Sequence, residues 1–287
     1  MRNMKCYSLV LVSLVVFASC STTQIIVPPV TAPPTQVHLT GKFVWYDLLS
    51  DNVIAAKKFY GELFGWEFEG ENKADTKYTV IKHNGTPIGG IVYAEDLGRV
   101  NGSQWLSYIS VKNVDEAVDL VQKSNGKVYR ESFEFPDRGR VAVVTDPQGA
   151  LLVLIKAEGG DPPDDEPVMN EWLWTELFTR DLDAAASFYG KLVGYRAESF
   201  DSGVNVPYYI FRKGDKEQAG MLRIPWENVR PNWLPYIKVE DPAAVVSKAK
   251  SLGGTVIVAP AENIRKGSVG LIADPTGGVV AVQKWPI

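Results

Sequence analysis

The chain has 287 residues, 45% of them hydrophobic and 22% charged, so it can bury a sizeable core and disorder is excluded as its main state. Lys and Arg number 30 against 34 Asp and Glu, a net charge of −4, without the basic excess a nucleic-acid partner requires. With 2 His and 2 Cys, the material for metal, thiol or triad chemistry is scarce.

The first predicted element is an address. Arg2 and Lys5 precede a short apolar run, Ser8 to Ala18, which has the length of a signal core and is too short for a stable membrane span. It ends in Val16-Phe17-Ala18-Ser19-Cys20, which resembles a bacterial lipobox. Residues 1–19 are therefore read as a signal peptide and Cys20 as the lipidated residue, the carrier of palmitate. Plain secretory cleavage, leaving Cys20 free, is the alternative. Cleavage removes Cys6 and moves the net charge to −6, so no disulfide is expected. Ser21, rather than Asp, follows the cysteine, and the resemblance then implies an outer-membrane lipoprotein facing the periplasm, held to the membrane only through its lipid. Residues 20–40 hold Pro28, Pro29, Pro33 and Pro34 and read as an extended tether that cannot bury a core. Fully extended, such a tether would reach about 65 Å.

Beyond the tether the sequence repeats itself. Trp45-Tyr46-Asp47-Leu48 returns as Trp174-Thr175-Glu176-Leu177, and Phe59-Tyr60-Gly61 returns as Phe188-Tyr189-Gly190. Trp105 to Val111 returns at Trp233 to Val239, and Asp146-Pro147-Gln148-Gly149 at Asp274-Pro275-Thr276-Gly277. The chain thus divides into a first domain over 41–158, a polar, Pro-rich linker over 159–168 and a second domain over 169–287. Each domain divides again. Phe43 to Leu49 alternates as a strand, Asn52 caps the helix Val53 to Phe64, and Gly65 ends it. Strands at Tyr78–His83 and Pro87–Tyr93 are joined by an Asn84-Gly85 turn. The order recurs with a strand at Leu106–Val111, a helix at Val114–Ser124 and a last strand at Ala150–Lys156. Strand, helix and about three strands therefore occur four times, an α+β plan.

FYxxxxG after the first helix, with DPxG before the last strand, resembles the vicinal oxygen chelate superfamily of glyoxalases, bleomycin-resistance proteins and extradiol dioxygenases. The resemblance covers Lys42 to Ile287. It implies that two βαβββ modules pair in each domain into a curled mixed sheet, a cup with helices outside. Metal-using members of that family take ligands from fixed places on the central strands. Those places fall here on Trp45, Leu106, Val153, Trp174, Leu234 and Ala281, none of which can coordinate an ion. His38 and His83 read as surface residues. No metal and no cofactor are expected.

Two cups lined by aromatic and apolar groups remain. Alternation places Trp45 with Asp47 and Trp174 with Glu176, facing Tyr108 and Val153 in one domain and Tyr236 and Ala281 in the other. An indole wall with one carboxylate suits a planar or cationic small molecule. The same aromatics could equally fill the cup as core, making an envelope module of structural purpose. The Phe-Tyr pairs of the helices read as core. No catalytic residue can be named. The expected role is metal-independent binding of a small molecule or partner, with a lyase or dioxygenase as the alternative. The oligomeric state is not encoded in any motif.

Overall fold

Asn52, Asn113, Asp181 and Asp241 each stand before an apolar-periodic run, and each side chain accepts a backbone N–H from the first turn that follows. Four helices begin there. The computed structural model describes residues 27–71, 73, 76–94, 103–200 and 207–286. The signal segment, Cys20 and the start of the tether lie outside the described residues.

The first repeat runs β1 (Phe43–Ser50), α1 (Val53–Phe64), β2 (Glu67–Glu69), β3 (Tyr78–His83) and β4 (Thr86–Tyr93). It continues with β5 (Gln104–Ser110), α2 (Val114–Lys123), β6 (Val128–Phe135), β7 (Gly139–Thr145) and β8 (Leu151–Ala157). The second repeat has the same order: β9 (Trp172–Thr179), α3 (Leu182–Val193), β10 (Arg196–Phe200), β11 (Tyr208–Lys213) and β12 (Lys216–Arg223) come first. They are followed by β13 (Asn232–Lys238), α4 (Pro242–Ser251), β14 (Thr255–Val258), β15 (Val269–Ala273) and β16 (Val279–Gln283). Each repeat makes one 8-stranded mixed sheet, ordered β2-β3-β4-β1-β5-β8-β7-β6 and β10-β11-β12-β9-β13-β16-β15-β14. The four strands that begin and end the modules form the centre of each sheet, and both faces of those strands are buried. Asn84 and Gly85 both take positive φ, 51° and 77°, the pair of angles that a two-residue hairpin needs.

The helices lie outside each cup, on the convex side of its sheet, and the two convex sides meet. One core joins α1 and α4 between the sheets, through Phe59, Tyr60, Val246 and Ala249. The other joins α2 and α3, through Val118, Val121, Phe188 and Tyr189. At the centre Tyr46 and Thr175, which occupy equivalent positions in the two repeats, share a hydrogen bond of 2.6 Å, as residues on a two-fold axis do. Beside them Trp105 packs edge to face against Trp66 and Trp172, whose own rings meet at a 58° tilt.

Two expectations are corrected here. His83 is not a surface residue: it is 9% exposed, and its Nδ1 lies 2.8 Å from Glu171 of the second repeat. The tether is not free chain from 27 onward. Val27 and Val30 are buried at 2% and 7% exposure. Downstream, Gln36 N–H donates to the Gly159 carbonyl, and Asp161 accepts from Leu39 N–H and Ser110. Two β-branched residues flanking a Pro-Pro pair form an apolar cleat, which the polar, Pro-rich average of the segment concealed.

Candidate functional site

Strand register builds the two sites. Tyr108 lies between Trp45 and Val153, and Asp47 lies opposite Gly90. In the second repeat Tyr236 lies between Trp174 and Ala281, and Glu176 lies opposite Gly220. Trp45, Asp47, Tyr108 and Val153 thus share one concave face, and Trp174, Glu176, Tyr236 and Ala281 share the other.

Each carboxylate is the hub of a hydrogen-bonded cluster. Asp47 Oδ1 accepts from Trp45 Nε1 at 2.8 Å and from Tyr78 OH at 2.9 Å, and Oδ2 accepts from Tyr108 OH at 2.6 Å. Glu176 Oε1 accepts from Tyr208 OH at 2.7 Å and Arg265 Nη2 at 2.6 Å, while Oε2 accepts from Tyr236 OH at 2.5 Å. Burial, and then the adjacent carboxylate, push the four phenols well above their ordinary range, so they stay protonated as donors. These are not bare carboxylates awaiting a cation: Asp47 is 1% exposed and Glu176 0%. A cationic ligand would have to displace donors already in place.

Tyr78, Tyr208, Arg138 and Arg265 were missed by the sequence reading. The signal existed, since Tyr78 and Tyr208 occupy equivalent places in the repeat. Arg138 and Arg265 both stand shortly before the penultimate strand of their domain, displaced by one residue where Lys266 intervenes. Gly90 and Gly220 belong to the same design. A Cβ on either would collide with the tyrosine hydroxyl and the carboxylate facing it. Gly90, inside β4, therefore makes room for the Tyr78–Asp47 contact.

The cups differ in what fills them. The first is closed: Val30 packs with Trp45, Leu106, Tyr108, Val153 and Ile155 in one cluster, and the Pro28 carbonyl accepts from Arg138 Nε at 2.8 Å. The second holds a cavity of about 260 Å³, lined by Glu176, Phe178, Tyr208, Trp226, Tyr236 and Arg265 among others. Trp226 is 40% exposed at its mouth and stacks on Phe178 with planes 13° apart. Trp174 is only half-buried, and its Nε1 reaches Tyr208 OH at 3.4 Å.

A family model described as the Glyoxalase/Bleomycin resistance protein/Dioxygenase superfamily matches residues 42–154. CFP32 of Mycobacterium bovis, named as a provisional glyoxylase, is 32% identical over 88% of this chain and 98% of its own length. The chain belongs to the glyoxalase/bleomycin resistance/dioxygenase superfamily. The anthracycline biosynthesis protein DnrV of Streptomyces peucetius is 28% identical over 84% of this chain and 92% of its own. Among solved structures, the Mn(II)-bound glyoxalase of Novosphingobium aromaticivorans superposes with a TM-score of 0.58 at 15% identity, covering 85% of this chain and 82% of that one. The E323L mutant of homoprotocatechuate 2,3-dioxygenase from Brevibacterium fuscum gives 0.57 at 11% identity, covering 91% and 74%. At those identities the structural likeness carries the tandem fold alone.

The superfamily's metal does not fit these residues. Across the central strands of each sheet the row reads Trp45–Tyr108–Val153 and Trp174–Tyr236–Ala281. Among the described residues no three His, Cys, Asp or Glu side chains lie close enough to hold an ion. Each cup's single carboxylate already accepts three hydrogen bonds, and a guanidinium, not a second acid, lies in the cluster. EDTA is accordingly expected to leave the melting temperature unmoved, and purified protein to carry far less than one equivalent of divalent transition metal. Stoichiometric Mn, Fe, Ni or Zn that survives dialysis would overturn this.

Proposed function

We propose that this glyoxalase-superfamily protein binds a neutral, planar, largely apolar small molecule in its second cup, without a metal. The observation that carries the reading is the cavity of about 260 Å³ between the Phe178–Trp226 stack and the Arg265–Tyr208 edge. Its walls are mostly apolar, the usual make-up of a small-ligand site, and its volume suits a ligand of two or three rings at most. Because Arg265 and Glu176 pair directly, the site is already charge-balanced, and a charged ligand would unbalance it. Arg265 Nη1 lies 3.5 Å from Gln283 Oε1, a weak contact that leaves an N–H able to donate to one ligand oxygen.

Prodan, a neutral naphthalene ketone whose emission reports the polarity around it, is a direct probe. Wild-type protein is expected to bind one equivalent with a blue-shifted emission. Trp226→Ala is expected to weaken binding by about 1 to 3 kcal/mol, the range for losing an aromatic anchor, with the melting temperature nearly unchanged because the indole is exposed. Unaltered affinity in that variant would remove the second cup as the site.

Export and lipidation at Cys20 belong to the same proposal and rest on the lipobox-like run Val16 to Cys20. Labelled palmitate should enter the wild type and not Cys20→Ser; equal labelling of both, or none, overturns the anchor.

A further inference from the structure

We infer that the first cup is a second, latent binding site for a carbonyl-bearing apolar molecule, occupied in this structure by the chain's own residues 27–30. It is separate from the second cup and does not depend on that cup's ligand.

Three observations meet here. The first is equivalence: Trp45, Asp47, Tyr78, Tyr108 and Arg138 reproduce the constellation that surrounds the open cavity of the second domain. The second is the state of Arg138. Its side chain is among the largest fully buried ones, at 1% exposure, yet it forms no ion pair with a carboxylate among the described residues. Its counterpart Arg265 has Glu176 at 2.6 Å. Arg138 instead lies over the Trp45 ring at 4.0 Å, reaches Tyr78 OH at 3.3 Å, and donates to the Pro28 carbonyl at 2.8 Å. A guanidinium is a costly filler for a dry core, and an aliphatic side chain would plug the cup more cheaply. An arginine there makes sense as the group that receives an oxygen acceptor, and Pro28 supplies one.

The third is how the occupant is attached. Upstream of the linker hooks at Thr35, Gln36 and Leu39, the polar tie of this segment to the cup among the described residues is the Pro28 carbonyl. Val30 packs in the cup's apolar cluster, and Val27 is buried at 2% exposure. Residues 27–30 are therefore hinged at a firm point and held beyond it by apolar contact and one acceptor. A free molecule offering a carbonyl to Arg138 and an apolar body to Trp45 and Tyr108 competes for the same contacts. Asp47 faces Arg138 across the Tyr78 hydroxyl, so the cup is charge-balanced and the competitor is neutral, as the peptide carbonyl is.

Prodan counts the sites in the full-length protein. The variant Val27→Asp/Val30→Asp, which makes burial of the segment unfavourable, is expected to bind one equivalent more than wild type. Adding Arg138→Gln should weaken that extra equivalent at least tenfold and leave the other unchanged. Should the double Asp variant fail to fold, Val27→Ala/Val30→Ala weakens the plug without charge and should show the same extra equivalent at higher probe concentration. No extra equivalent in either folded variant, or one indifferent to Arg138→Gln, overturns the inference. Failure of the second cup alone looks different: wild type then binds nothing, while the loosened variants still bind one equivalent that Arg138→Gln weakens.

Discussion

Replacing Asp274 by alanine is expected to cost about 3 to 5 kcal/mol of unfolding free energy, although this residue lies in a turn and far from both cups. Asp274 is 3% exposed. Its Oδ1 accepts from the Thr276 and Gly278 backbone N–H groups at 2.6 and 3.1 Å, and its Oδ2 accepts from Tyr60 OH at 2.9 Å. Tyr60 belongs to the other repeat, and Trp105 Nε1 donates to the same hydroxyl at 2.9 Å. Alanine would leave these donors unpaired in a dry interface, and an unmet buried donor costs about 1 to 3 kcal/mol. The lock is reciprocal. Asp146 of the first repeat accepts from Gln148 and Ala150 N–H and from Tyr189 OH of the second, and Trp233 donates to Tyr189. Asp146→Ala should therefore cost a similar amount. Both losses should appear in one cooperative urea transition, because each removes a tie between the domains. Two separate transitions, with each substitution lowering only its own domain, would refute the lock. Tyr60→Phe should cost less, about 1 to 2 kcal/mol, since it removes the shared hydroxyl but leaves the turn's own bonds intact.

Those residues show where sequence reasoning reached and where it stopped. FYxxxxG and DPxG were visible as repeated motifs; their repetition was enough for the tandem organisation, and the family resemblance they carry implied the pairing of modules. Their purpose was not visible. Phe59 and Phe188 are helix core, as the periodicity implies, but the adjacent tyrosines also bond the DPxG aspartate of the opposite repeat. Periodicity describes one element and its buried face; it carries no information about which distant turn a hydroxyl will meet. The same limit hid Tyr78 and Arg138. Both reach the first cup from the outer half of the sheet, and only the sheet order brings them to Asp47. Composition misled in the tether for a different reason. Proline content argued for exposed, extended chain, and extended chain is what an occupied cleft holds.

Trp45→Ala is expected to destabilise the protein by about 3 to 5 kcal/mol, whereas Trp174→Ala, at the matching position of the second repeat, should cost about 1 to 2 kcal/mol. The difference follows from what lies over each indole. Trp45 is 2% exposed, gives its N–H to Asp47 at 2.8 Å and carries the Arg138 guanidinium on its face at 4.0 Å. Its removal opens a cavity under Val30, takes a donor from a buried carboxylate and strips the cation of its aromatic support. Trp174 is half-buried, and its longest reach is a 3.4 Å contact to Tyr208 OH, so water can enter where the ring was. Glu176 keeps its bonds to Tyr208, Tyr236 and Arg265 in that variant, because none passes through the indole. Urea denaturation of the two variants reads the contrast directly. Equal losses would mean that the two cups are filled alike, and the asymmetry between a closed first cup and an open second one would fall with them.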